Sequence, residues 1–77
     1  MHLIEIVSRD GCVESASVLD GPFSGYVAAR ESFETEAKAW RNDPDVEIDD
    51  DKMIVRIDDG PTQRTVLVAR GIYDGLQ

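Results

Sequence analysis

Residues 26–41, YVAARESFETEAKAWR, run without proline or glycine and set Tyr26, Ala29, Phe33, Ala37 and Trp40 at the three-and-four spacing of one helical face. A lone helix with one apolar stripe must bury it against another layer, and the segments on both sides are read as strands. The chain is therefore expected to be α+β, a single small domain over residues 1–77 in the order ββαβββ. Its sheet should be mostly antiparallel, with one helix packed on one face. At 77 residues and 42% hydrophobic, such a domain folds alone with little spare core.

Alanine and glutamate favour the helix by propensity, and Glu34 to Lys38 forms an i,i+4 pair in the favourable orientation. Asp20 or Ser24 are the candidate caps in DGPFSG, and Asn42-Asp43-Pro44 ends the helix. A rival reading makes GYVAARESF a strand and starts a two-turn helix at Thr35.

The strands follow from shorter signals. Asp10-Gly11, between HLIEIVS and CVESASVL, is a strong hairpin turn and predicts strands over about 2–8 and 12–19. With those two residues at the turn centre, Ser8 pairs with Val13, Ile6 with Ser15 and Ile4 with Ser17. Ile4, Ile6 and Val13 then share one face, and Leu3, Val7, Ala16 and Val18 share the other with Glu5 and Glu14. Beyond the helix, DVEID and KMIVRID are joined through Asp50-Asp51, and TQRTVLVAR follows the turn DDGP at 58–61. Val46 and Ile48 alternate with Asp45, Glu47 and Asp49, giving an apolar face and a row of carboxylates. Met53, Val55 and Ile57 continue the apolar face, as do either Val66 and Val68 or Thr65, Leu67 and Ala69. The tail GIYDGLQ reads as an ordered end followed by a few loose residues.

Most catalytic chemistry is disfavoured. His2 and Cys12 are the only imidazole and thiol, and the hairpin puts them at opposite ends, roughly 20 Å apart at about 3.3 Å per residue. Paired carboxylates need a cleft that desolvates one of them, which an exposed strand row does not supply. A calcium loop counted from Asp43 needs glycine at its sixth place and glutamate at its twelfth, where this chain has Ile48 and Ile54. No glycine-rich phosphate loop is present, so neither a cofactor nor a bound metal is expected. The longest apolar runs fall far short of the roughly 20 residues that span a bilayer, and MHLIEIVS lacks a basic lead or cleavage site. The expectation is a soluble, cytoplasmic protein that is not an enzyme.

Charge is what remains. The chain carries 16 acidic and 8 basic residues, a net charge of −8, which argues against direct contact with nucleic acid or an anionic membrane. Half of the acids lie in one short segment: Asp43, Asp45, Glu47, Asp49, Asp50, Asp51, Asp58 and Asp59, accompanied only by Lys52 and Arg56. Clustered like charge costs stability through repulsion, and so invites a functional reason. Turn chemistry and the acidic, arginine-biased proteome of a salt-loving organism are the competing ones. These eight residues are the candidate partner-binding site, and Phe23, Tyr26, Met53 and Tyr73 are candidate apolar anchors for the same partner, although at this chain length Phe23 and Tyr26 are more often core residues.

In size, acidity and ββαβββ layout the chain resembles small phage-encoded inhibitors, notably anti-CRISPR proteins that occupy the DNA-binding surface of a CRISPR effector. ARESFETEAKAW is also similar to a strand-end-plus-helix pattern found in small αβ domains of unrelated function. The first resemblance implies a non-catalytic DNA mimic that binds a basic protein or nucleoprotein complex, as a monomer or homodimer. The alternative is an accessory or antitoxin-like subunit that dimerises or pairs through its sheet. Leu3, Val7 and Val18 are its candidate contacts, and the acidity would then reflect habitat.

Overall fold

A computed structural model of the protein describes residues 1–69. Its elements are β1 (His2–Arg9), β2 (Cys12–Asp20), α1 (Tyr26–Lys38), β3 (Val46–Asp49), β4 (Ile54–Asp59) and β5 (Thr62–Ala69). The five strands form one antiparallel sheet in the order β2-β1-β5-β4-β3, with the helix on one face. The α+β class and the ββαβββ order are as expected, and the strand reading of GYVAARESF is overturned. The tail from Arg70 onward, with Tyr73, lies outside the described residues.

Cross-strand partners share a face, so the register shows which residues meet the helix. Leu3 faces Val68, Val66 faces Val55, Val55 faces Ile48, and Ile57 faces Val46. These residues pack with Met53 against Phe33 and Ala37, flanked by Phe23 and Trp40. On β5 it is therefore Val66 and Val68 that continue the core face. Phe33, Val55 and Val66 are the largest fully buried side chains. Fully burying a side chain of this kind stabilises by about 1.5–3 kcal/mol.

The helical stripe is shorter than its sequence period. Ala29, Phe33 and Ala37 are buried, but Tyr26 in the first turn is 51% exposed. The helix stops at Lys38, before Asn42-Asp43-Pro44, and Trp40 reaches the core from the turn that follows. Neither Asp20 nor Ser24 caps α1. The N-cap is Gly25, with no side-chain hydrogen bond, while the Asp20 carboxylate accepts from Ser32 Oγ at 2.8 Å and from the Gly21 amide at 2.9 Å.

The first hairpin begins as predicted and then slips. Asp10 and Gly11 both take positive φ, 51° and 83°, the pairing that a two-residue turn needs and that Asp-Gly tolerates. Arg9 faces Cys12 and Ser8 faces Val13, but Val7 faces Ser15, so Glu14 is bulged out. From there Ile6 pairs with Ala16 and Ile4 with Val18, not with Ser15 and Ser17, until a second irregularity at Leu19. One extra residue moves every later side chain to the other face. Ala16 and Val18 thus join Ile4, Ile6 and Val13 on the face away from the helix, and Leu3, Glu5 and Val7 lie on the helix side.

Candidate acidic binding site

The eight candidate carboxylates do not form one row. Seven of them divide between the two ends of the β3–β4 hairpin, with Glu47 between, and within each group the side chains have different commitments.

At the loop between β3 and β4, Asp49, Asp50 and Asp51 serve three purposes. The Asp49 carboxylate accepts from the Lys52 amide at 3.0 Å and so closes the turn. Asp50 is bound to Arg41, Nη2 to Oδ1 at 2.7 Å, and that hydrogen bond holds its carboxyl below the usual carboxylate range. Arg41 also reaches Glu34 at 3.2 Å, and Arg30 donates to the Asp50 carbonyl at 2.7 Å while pairing with Glu34 at 3.6 Å. Helix and loop are therefore latched by two arginines and two acids, and Glu34 uses these partners in place of Lys38. Asp51 is exposed, and its side chain has no partner among the described residues.

At the other end Asp43, Asp45, Asp58 and Asp59 come together. The Asp58 amide donates to the Asp45 carbonyl at 3.3 Å, which extends the β3–β4 ladder past Val46 and brings the two acidic pairs side by side. Asp43 is committed, since its carboxylate accepts from the Asp45 amide at 2.9 Å. Asp45, Asp58 and Asp59 are exposed, and among the described residues their side chains have neither hydrogen bonds nor counterions. Glu47 lies one turn of the pleat away, opposite Arg56 in the register and paired with it at 3.6 Å.

Asp45, Glu47, Asp58 and Asp59 line a shallow surface depression of about 940 Å³ whose other walls include Pro44, Arg56 and Arg64. Arg56 is paired with Glu47, and Arg64 with Glu5. Among the described residues the depression therefore keeps three uncompensated negative charges in a concave setting open to solvent. Such a surface can accept guanidinium or ammonium groups from outside.

Of the candidate anchors, Met53 is buried in the core and Phe23 packs against it. Tyr26 is exposed, with the Arg30 guanidinium 5.7 Å from its ring centre, on the helix and not beside the depression. The arginine latch was not anticipated from sequence. Its one visible signal is that Arg30, Glu34 and Arg41 fall near one another along the helix and its exit. Among the described residues no helix is long and apolar enough to cross a membrane. Compared with known protein families, curated proteins and solved structures, the chain matches none.

Proposed function

We propose that the protein is a non-catalytic binding protein that docks the acidic depression of Asp45, Glu47, Asp58 and Asp59 onto an arginine- or lysine-lined, nucleic-acid-binding surface of a protein partner. A phage anti-CRISPR-type inhibitor of a CRISPR effector is the concrete form of this reading. The observation that supports it is that Asp45, Asp58 and Asp59, whose carboxylates have no counterions among the described residues, line one concavity. Acids needed only for turns or latches are spent there, as Asp43, Asp49 and Asp50 are. Spacing of carboxylates along a strand and at a hairpin tip lets them stand in for backbone phosphates, and their field speeds encounter with a basic groove.

The test separates the two acidic groups. Asp45→Asn, Glu47→Gln, Asp58→Asn and Asp59→Asn are combined in one variant and Asp51→Asn is made in another, and both are used to capture partners from host lysate. The expected outcome is a basic nucleic-acid-binding partner that is retained by wild type and Asp51→Asn, lost with the fourfold variant, and weakened steeply by salt. Equal capture by the folded fourfold variant would show that the charge serves solubility or habitat.

A further inference from the structure

The two edges of the sheet are treated differently. β3 is four residues long, follows Pro44 and carries Glu47 and Asp49, the usual devices that keep an edge from pairing. β2 has nine residues, all exposed, without proline, lysine or arginine, and includes Val13 at 68% exposure, Val18 at 43% and Leu19 at 44%. Bulges at Glu14 and Leu19 interrupt it, but the stretch 15–18 between them is regular. An edge of this length would add a strand through its outward backbone groups, and its composition decides which strand.

We infer that β2 pairs antiparallel with β2 of a second copy, in the register that sets Ala16 opposite Ala16. Directly opposed residues must share a face, so a symmetric pair can be centred on a residue but not between two. Centring on Ser17 sets Glu14 against Asp20, and centring elsewhere shortens the overlap. Centring on Ala16 aligns the strand end to end and opposes no like charges. Glu14 meets Val18, Val13 meets Leu19, and Cys12 meets Asp20. Ser15 and Ser17, which both lie on the helix side, oppose each other, as do Cys12 and Asp20 on that same side. The faces therefore match despite the bulges. The dimer is a continuous ten-stranded sheet with the acidic β3 edges at its two outer ends, so it leaves the depression of each copy accessible.

Engineered cysteines read the register directly, because opposed Cα atoms in an antiparallel pair lie about 4.5–5.5 Å apart, within disulfide reach. In a Cys12→Ser background, Ala16→Cys is expected to cross-link rapidly to a dimer under mild oxidation, and Ser17→Cys at least tenfold more slowly. Sedimentation should give twice the 8.5 kDa chain mass for wild type and the single-chain mass for Val18→Glu, which changes an already exposed position and sets a like charge opposite Glu14 of the second copy. A wild-type monomer at millimolar concentration, faster cross-linking at Ser17→Cys, or a Val18→Glu dimer would each overturn the inference.

Discussion

At the scale of single residues, Met53 shows two demands in conflict. Its φ of 57° is left-handed, which costs an L-residue roughly 1–2 kcal/mol, yet its side chain is buried in the core cluster, worth about 1.5–3 kcal/mol. Its carbonyl also accepts from the Val68 amide at 3.3 Å, fixing the exit from the β3–β4 loop. Met53→Ala loses the burial and keeps the backbone cost, whereas Met53→Gly loses the burial and relieves that cost. Urea denaturation is therefore expected to rank wild type above Met53→Gly, and Met53→Gly above Met53→Ala by about 1 kcal/mol, the reverse of ordinary propensity. The period-two alternation exposed Met53 as a core residue but was silent on its backbone. The carboxylates were half legible in the same way. Composition located all eight, but which were capped, latched or uncommitted depended on where Arg41, the Lys52 amide and the Asp45 amide came to rest.

At the scale of elements, periodicity revealed what packing then used. Ala29, Phe33 and Ala37 were legible as a buried stripe because three-and-four spacing is a property of the helix itself. The bulge at Glu14 was not, because it depends on how β2 meets β1 while β1 also satisfies β5, a constraint with no local signature. The weakest element boundary is the start of α1. Gly25 is an extended N-cap without a side-chain bond, the first turn has no acid, and a Cβ added there would meet nothing within 4 Å. Gly25→Asp should supply an acceptor to the unpaired first-turn amides and a charge that complements the helix dipole. The gain expected is a few tenths of a kcal/mol, read as a rise of about 2 °C in the thermal midpoint. No rise would mean that the helix start does not limit stability.

At the scale of the whole molecule, strand order was the least legible feature, since nothing in the hairpins says that β1 will sit between β2 and β5. A charged contact marks that junction. Arg64 Nε donates to Glu5 Oε2 at 3.1 Å, on the helix side of the sheet, and the Glu5 side chain is 17% exposed. Glu5 adjoins Val66 in the register, so an unpaired carboxylate there would be partly desolvated. A double-mutant cycle of Glu5→Gln with Arg64→Gln is expected to give a coupling of about 1–2 kcal/mol, above the about 0–1 kcal/mol of an exposed pair. The exposed Arg9–Glu14 pair, at 3.0 Å, supplies the internal reference, and equal couplings would remove any special role for the central contact. The same junction joins residues 59 positions apart, which sets an order on synthesis at the ribosome. The β1–β2 hairpin leaves the tunnel early and must wait through the helix and the second hairpin, at about 5–20 residues per second, before β5 covers its inner edge. For those seconds β1 is the chain's most vulnerable strand, and nascent-chain chaperones should engage it there.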